Sequence, residues 1–407
     1  MSNRLPIFFI MMTVVIDAMG IGLIMPVMPD LIQEVLPGAT LADAAVWGGI
    51  LATVFAVMQF VFGPMVGNLS DRFGRKPVLL VALVVMAADY LLMAVAGTVW
   101  LLLIGRIVGG ITAATHSTAS AFMADISKPE EKAANFGLIG AGFGIGFVLG
   151  PVLGGLLAEF GTRAPFYAAA GLAFANALFG WFVLTETVTD KTRRAFSWMR
   201  ANPFGAFKSI GSFPGLSNLM WVFFFYAVAS VVYPATWSYF TAEKFGWSPG
   251  MIGVSLAIYG LSFGLVQGLL VAPAIKAFGE RKTVVIGLVI EIVTFIFIGI
   301  APAGWMVLVT APIASLGAIG MPALQGIMSR NTPDDSQGEL QGVLTSINAV
   351  GMILAPLVMT RAFAAFSGPD APVYLPGAPY LLAAGLVAVA TVIFVSRYIG
   401  RAPSDAA

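Results

Sequence analysis

Four charged side chains lie inside long apolar stretches of the chain, at Asp17, Asp89, Arg106 and Glu291. A charge at the centre of a membrane helix costs about 2.5–3.5 kcal/mol on insertion scales, which favours a functional role for each. A carboxyl group in a dry site can take up and release a proton near neutral pH. The alternative is a set of structural ion pairs between helices. For Arg106, which keeps its proton at working pH, both interpretations are equally supported.

The spacing of these charges predicts one pair. Two apolar stretches meet at residues 97–98, and Asp89 lies about nine residues before this turn while Arg106 lies about eight after it. At about 1.5 Å per helical residue, both side chains reach a similar depth. We therefore expect a switchable Asp89–Arg106 pair. No cation is evident at the depth of Glu291, so we expect that carboxyl group to be the main proton carrier.

The composition places these charges in a membrane protein. Of the 407 residues, 59% are hydrophobic and only 10% are charged, and the mean hydropathy is +0.93. The net charge of +1 argues against a nucleic-acid partner. Because there is no cysteine, disulfides, thiol nucleophiles and Cys-based metal sites are excluded.

Apolar segments of about 20 residues recur along the whole chain and predict an all-α membrane protein with twelve transmembrane helices. The longest polar interruption, 185–213, divides them into a half at 1–184 and a half at 214–407, six helices each. The predicted helices lie near 6–29, 44–68, 77–97, 99–124, 133–157, 164–184, 214–240, 250–273, 282–301, 303–327, 337–366 and 377–400.

The distribution of Lys and Arg predicts the orientation. Most of these residues fall in the connections on one side of the predicted bundle, and only Arg163, Lys244 and Arg361 fall on the other. Cytoplasmic loops are enriched in Lys and Arg, so both termini and the central linker are expected in the cytoplasm. The first apolar stretch is too long for a signal-peptide core and is interpreted as a retained helix.

The two halves repeat each other at an offset of about 205 residues. The sequence GFVLGP at 146–151 returns as GMILAP at 351–356, and FGRK at 73–76 returns, with an inserted Glu, as FGERK at 278–282. Two matches at nearly the same offset indicate a parallel duplication, for which we expect a substrate site between the halves near the middle of the membrane.

The connection after the second predicted helix is short and densely charged. It spans 67–77 and includes Gly67, Asp71, Arg72, Gly74 and Arg75. One interpretation is an ordinary positively charged inside loop. The other is a latch, in which Asp71 pairs with a neighbouring arginine or a helix N-terminus in one conformation and releases it in another.

The residue order of this connection resembles the signature G-x-L-x-D-R-x-G-R-K of the major facilitator superfamily, which favours the latch. Two more stretches resemble motifs of that superfamily: GRIVGG at 105–110 is similar to its conserved-arginine motif, and 146–155 to its drug-antiporter motif. The second motif consists of small residues suited to close helix packing: Gly146, Gly150, Pro151, Gly154 and Gly155.

Four further stretches resemble bacterial tetracycline/proton antiporters: 17–26, 89–92, 245–247 and 322–326. The resemblance implies proton-driven export of a drug, which in that family is a tetracycline chelated to a divalent cation. It also implies a protein without a cofactor or an intrinsic metal, functional as a monomer in the bacterial cytoplasmic (inner) membrane.

The resemblance places Asp17, Asp89 and Glu291 on positions where these antiporters carry required carboxylates, the third of which is usually Asp. Asp17 is then expected to contact the substrate or its cation. The family often has a histidine where this chain has Phe263, and the single histidine of this chain is His116.

Polar and aromatic residues in the spans are candidates for lining a drug site. The expected substrate-contacting residues are Asp17, Gln59, His116, Phe263 and Gln325. Most such residues in any helical bundle serve packing or interhelical hydrogen bonds instead, and for His116 a neutral, hydrogen-bonded role is the simpler interpretation.

Two other functions are compatible with some of these residues. One is a proton-coupled exporter of a metabolite or sugar on the same fold. The other is an intramembrane aspartyl protease using Asp17 and Asp89 as a carboxylate dyad, although the Y-D and G-x-G-D patterns of such enzymes are absent. The chain also lacks a phosphate-binding G-x-x-x-x-G-K-[ST] motif, so it is not an ATP-driven pump by itself. We therefore expect a protein that is not an enzyme.

Overall fold

The fold is known from a computed structural model that describes residues 5–113, 115–128, 131–190, 192–199, 201–205, 213, 215–368 and 371–398. Within these ranges the regular structure is helical and contains no β-strand. The α-helices are α1 (Leu5–Ile24), α2 (Met28–Val35), α3 (Leu41–Phe73), α4 (Arg75–Val95), α5 (Val99–Thr112), α6 (Thr115–Ile126), α7 (Lys132–Ala158), α8 (Ala164–Val183), α9 (Ser217–Ser230), α10 (Val232–Phe245), α11 (Pro249–Leu265), α12 (Val271–Phe278), α13 (Glu280–Ile300), α14 (Gly304–Leu316), α15 (Gly320–Arg330), α16 (Gln337–Ser367) and α17 (Ala378–Tyr398).

Twelve helical spans in the described residues are long and apolar enough to cross a membrane, which confirms the predicted fold class. Four of them consist of two helices in succession, namely α5–α6, α9–α10, α11–α12 and α14–α15. The π-helix Val266–Leu270 joins α11 to α12, and the 3₁₀-helix Gly317–Ile319 joins α14 to α15. The sequence analysis predicted these spans as continuous helices, although Pro273 in α12 and Pro322 in α15 lie just after the junctions, and each removes an N–H donor that a continuous helix would use.

Four predicted helix ends are wrong by five residues. Two of these spans, predicted to end near 240 and 273, continue to Phe245 and Phe278. The first helix ends at Ile24 and not near residue 29, because Pro26 and Pro29 interrupt it and start the short helix α2. The charged connection at 67–77 is mostly helical: α3 continues to Phe73 and α4 begins at Arg75. A helix of 33 residues is about 50 Å long and exceeds the apolar core of a bilayer, so its charged last turns reach water without a loop.

The residues group into two compact units. One comprises 1–39, 54–203 and 247–257, and the other comprises 40–53, 204–246 and 258–407. In the second unit, Thr53 Oγ1 donates to the carbonyl of Ile353 on α16 at 2.9 Å. The predicted division into 1–184, 185–213 and 214–407 stays a prediction.

Candidate functional site

Asp89 on α4 and Arg106 on α5 form an ion pair inside the first unit. The Arg106 Nη2 atom lies 2.7 Å from Asp89 Oδ2, and the side chains are only 9% and 4% exposed. The same nitrogen lies 2.6 Å from the sulfur of Met93, and the guanidinium lies 5.2 Å from the centre of the Phe55 ring. Thr98 starts α5 by accepting a hydrogen bond from the Leu101 amide, which fixes the turn that places the two charges at one depth.

Two glycines make room for this pair. A Cβ atom on Gly105 would lie 2.6 Å from Asp89 Oδ1, and one on Gly109 would lie 2.5 Å from Asp89 Oδ2. The residues before and one turn after Arg106 must therefore be glycine for the carboxylate to reach the guanidinium. The pair is not fully satisfied, because Asp89 Oδ1 and Arg106 Nε are buried without a hydrogen-bond partner. Unpartnered buried polar atoms favour rearrangement over a permanent clamp.

Glu291 on α13 has a different environment in the second unit. It is only 4% exposed, and its Oε1 atom accepts a hydrogen bond of 3.2 Å from the hydroxyl of Tyr226 on α9. No Lys or Arg in the described part of the chain forms an ion pair with it. A Cβ atom on Gly317 would lie 2.6 Å from Glu291 Cγ, so a glycine again gives a buried acid its space.

The remaining candidate residues do not form one cluster among the contacts of the described residues. Asp17 is half-buried on α1, and Gln325 is exposed on α15. Phe263 on α11 is 40% exposed and stacks on Tyr259 with ring centres 6.2 Å apart. The side chain of His116 lies outside the described residues.

Gln59 on α3 hydrogen-bonds to the backbone of the neighbouring span. Its amide nitrogen donates to the carbonyl of Ala113 at 3.2 Å, at the junction between α5 and α6. This bond does not require a substrate. The predicted drug contact of Gln59 stays a prediction.

The charged connection between α3 and α4 is a network of ion pairs. Arg75 Nη1 lies 2.6 Å from Asp71 Oδ1, and Arg75 Nε lies 3.2 Å from Asp125 at the end of α6. Gly74, between the helices, has φ of +115°, a region that favours glycine. The Arg72 guanidinium lies 5.2 Å from the ring centre of Phe73, and a Cβ atom on Gly67 would meet no other atom within 4 Å.

Glu186 caps this connection. Its carboxylate oxygens accept hydrogen bonds from the backbone N–H groups of Arg75 at 2.9 Å and Lys76 at 3.1 Å, which are free donors at the start of α4. A side chain at position 74 would collide with this carboxylate. Lys76 Nζ donates to the carbonyl of Leu184 at 2.6 Å, just after α8. The network therefore ties the start of α4 to the end of α8.

The second unit contains the same arrangement with the charges exchanged. Helix α13 begins at Glu280 after Gly279 as α4 begins at Arg75 after Gly74, so Glu280 occupies the position of Arg75 and the predicted insertion is wrong. Glu280 forms an ion pair with Arg330, and these positions lie 205 residues after Arg75 and Asp125. Arg281 donates to the carbonyl of Tyr398 at 3.0 Å, as Lys76 does to a carbonyl after α8. The two ion pairs therefore occupy corresponding positions in the two units, but the acidic and basic residues are exchanged.

The small residues of α7 lie against backbone. A Cβ atom on Gly146, Gly150 or Gly154 would collide with a carbonyl oxygen of α1. Pro151 of α7 lies against Gly22 of α1. Gly155 faces the carbonyl of Pro249 at the start of α11. These glycines permit two helix backbones to touch without intervening side chains.

Comparison with known proteins identifies the family. Residues 10–240 and 219–406 match the Major Facilitator Superfamily. This chain belongs to that superfamily. It is 40% identical to the class C tetracycline resistance protein of Escherichia coli over 365 residues, 90% of this chain and 91% of the relative. It is 37% identical to the class G protein of Vibrio anguillarum over 356 residues, 87% and 89% of the two chains.

Solved structures share the fold. The nucleoside transporter NupG superposes with a TM-score of 0.79 at 13% identity, covering 97% of this chain and 98% of that one. The human organic anion transporter MFSD10 gives 0.70 at 22% identity, covering 97% and 100%. As a member of the superfamily, this chain is a multi-pass membrane transporter of a small molecule and not an enzyme, so the aspartyl-protease alternative is wrong.

Three residues of the candidate site were missed from the sequence. Tyr226, Asp125 and Glu186 are distant in sequence from the groups that they contact, by 65, 50 and 111 residues. One signal was available for Asp125: adding the repeat offset to it gives Arg330, a residue of opposite charge. Tyr226 is the single hydroxyl in the run WVFFFYAVA, a weaker signal.

Proposed function

We propose that this transporter is a proton-coupled antiporter that exports tetracycline-like or other amphipathic drugs across the bacterial cytoplasmic membrane by alternating access. The observation that carries the proposal is Glu291, a buried acid whose described hydrogen-bond partner is a neutral hydroxyl. Such a group can exist with or without its proton, which antiport requires. The drug class is supported by the tetracycline resistance proteins at 34–40% identity.

The other charges have distinct roles in this proposal. Asp89 and Arg106 form a pair that opens and closes during the cycle, which is consistent with their unpartnered atoms. Asp17, half-buried on α1, contacts the drug or the divalent cation that arrives with it as a chelate. The protein needs no cofactor and acts as a monomer. Both termini and the linker lie in the cytoplasm, which reporter fusions at Asp190 would test.

A drug-susceptibility panel in an efflux-deficient bacterium tests the proposal. Expression of the wild-type chain is expected to raise the inhibitory concentration of tetracyclines, and Glu291→Gln is expected to abolish the increase. Glu339→Gln is the matched control, because it makes the same chemical change at an exposed glutamate of α16. Unchanged susceptibility to every drug, together with altered export of a sugar or metabolite, would identify the competing function on the same fold.

A further inference from the structure

Two spans are interrupted at positions related by the internal repeat. In the first unit, α5 ends at Thr112 and α6 begins at Thr115. In the second unit, α14 ends at Leu316 and α15 begins at Gly320 after a 3₁₀ turn. An interruption of this kind leaves backbone carbonyl groups without their helical partners. Within hydrocarbon, each such group needs another donor.

A glutamine side chain supplies that donor in both units. Gln59 Nε2 donates to the carbonyl of Ala113 at 3.2 Å, and Gln267 Nε2 donates to the carbonyl of Ala318 at 3.2 Å. The two acceptors are separated by 205 residues, the offset of the duplication. The two donors occupy the second span of their half, on α3 and in the π-helix Val266–Leu270. They are separated by 208 residues, about one helical turn from exact correspondence. The same type of bond therefore occurs in both halves, to equivalent acceptors and from donors on equivalent spans.

Each of these bonds lies beside a buried acid. Gly317, one residue before the acceptor Ala318, is the glycine that lies against Glu291. Gly109, one helical turn before the acceptor Ala113, lies against Asp89. The backbone segment that accepts each glutamine's hydrogen bond is therefore within about one helical turn of a glycine that contacts a buried acid. A π-helix at Gln267 is a rare element that is frequent at functional sites.

We propose that Gln59 and Gln267 are positioning residues that hold the interrupted spans in the geometry required by Asp89 and Glu291. In place of the drug contact predicted for Gln59 from the sequence, neither glutamine binds the drug. This inference goes beyond the proposed antiport and rests on it. Loss of either bond lets the interrupted span change its local geometry. The acid beside it is then held less precisely during turnover, while drug affinity is unaffected.

Transport kinetics test the inference in proteoliposomes with tetracycline as the probe. Gln59→Leu and Gln267→Leu are each expected to lower the maximal rate about fivefold, the effect of one hydrogen bond, with an unchanged KM. Gln33→Leu is the matched control: Gln33 Nε2 donates to the carbonyl of Ala39 at 3.1 Å outside the predicted spans. This control is expected to transport at the wild-type rate.

Hydrogen exchange gives a readout that needs no transport. Amides at 318–321 are expected to exchange faster in Gln267→Leu only, and amides at 115–118 faster in Gln59→Leu only. Unchanged exchange would overturn the inference, as would a raised KM at an unchanged maximal rate, which would indicate drug contacts. If the wild-type protein transports no tetracycline, the proposed function fails, while the exchange result still decides whether the glutamines hold the spans.

Discussion

The two halves of the chain hold a buried acid in similar backbone but give it different partners. Asp89 lies against glycines of the following span and pairs with Arg106, a permanent cation, at 2.7 Å. Glu291 also lies against a glycine of the following span, but it accepts a hydrogen bond from the neutral hydroxyl of Tyr226. A permanent cation favours a permanent anion, whereas a hydroxyl tolerates both states of the acid. The two acids are not at equivalent positions of the repeat: at the 205-residue offset Asp89 corresponds to Thr294, so Glu291 lies about one helical turn away.

The charged ends of the halves support the same conclusion. Arg75–Asp125 and Glu280–Arg330 occupy corresponding positions with reversed signs. An ion pair persists when both residues exchange the sign of their charge together. The two halves therefore share the ion pair between two helix ends, but not the sign of the charge at either end. The difference between the halves can be tested by altering each arrangement in turn.

The largest effect is expected from breaking the buried pair on one side only. Arg106→Leu leaves Asp89 buried without a counter-ion, which typically destabilises by about 3–5 kcal/mol. We expect little folded protein in the membrane and no transport. In Asp89→Asn/Arg106→Leu, which removes both charges, the amount of folded protein should recover while transport does not. Quantitative immunoblots and uptake assays measure both, and equal recovery of transport would show that the pair is only structural.

The next effect concerns Asp71 at the end of α3. Asp71→Asn is expected to reduce transport sharply while leaving the protein in the membrane, because the anion must be released from Arg75 and paired again in each cycle. Asp190→Asn is the control, since Asp190 is fully exposed and lies 3.9 Å from Arg193. Wild-type rates in Asp71→Asn vesicles would contradict the latch.

A charge exchange tests whether the sign of the second pair matters. Asp125→Arg places a cation against Arg75 and should lower the free energy of unfolding by about 1 kcal/mol, the scale of a partly exposed pair. Arg75 also pairs with Asp71 at 2.6 Å, so the exchange must include that residue. Adding both Arg75→Glu and Asp71→Lys recreates the polarity of the corresponding residues Lys276, Glu280 and Arg330 and should recover most of that loss. Thermal unfolding in detergent measures the loss and the recovery. A triple variant less stable than Asp125→Arg alone would show that the first half depends on its own polarity.

The smallest effect is expected at Tyr226. Tyr226→Phe removes one hydroxyl from Glu291 and keeps the ring, so transport should continue at a rate lowered about fivefold, the effect of one hydrogen bond. Tyr374→Phe removes a similar bond, from Tyr374 to Glu243 at 3.3 Å, at an exposed site and should have no effect on transport. Complete loss of transport in Tyr226→Phe would show that the hydroxyl has a role beyond holding the acid.

The sequence predicted what depends on local distance. Asp89 and Arg106 flank one turn, so counting helical residues was enough to place them side by side. The twelve spans followed from apolar length, and the repeat offset from two short matches. The sequence did not predict that Tyr226 contacts Glu291, because this contact depends on the relative rotation of two helices that are far apart in sequence.

The interrupted spans were missed for a different reason. Pro322, four residues after Ala318, has no N–H to donate to that carbonyl and was an overlooked signal in the second half. The glutamines that donate to the junction carbonyls lie 54 and 51 residues away in sequence. Single-span patterns describe each helix alone and carry no information about a donor on another one. The internal repeat contains a signal for these two hydrogen bonds. Ala113 and Ala318 are equivalent positions, and each half has one glutamine near the middle of its second span.

The central claim is that Glu291 carries the exchanged proton, and two transport modes of Glu291→Gln test it most directly. Glutamine keeps the size and a polar end but cannot take up and release a proton, so drug exchange between equal pools should continue while accumulation driven by a pH gradient stops. Both are measured in proteoliposomes with the same labelled drug. The account predicts exchange without accumulation. Accumulation of drug by Glu291→Gln under an imposed pH gradient would contradict it and assign proton coupling to Asp17 or His116.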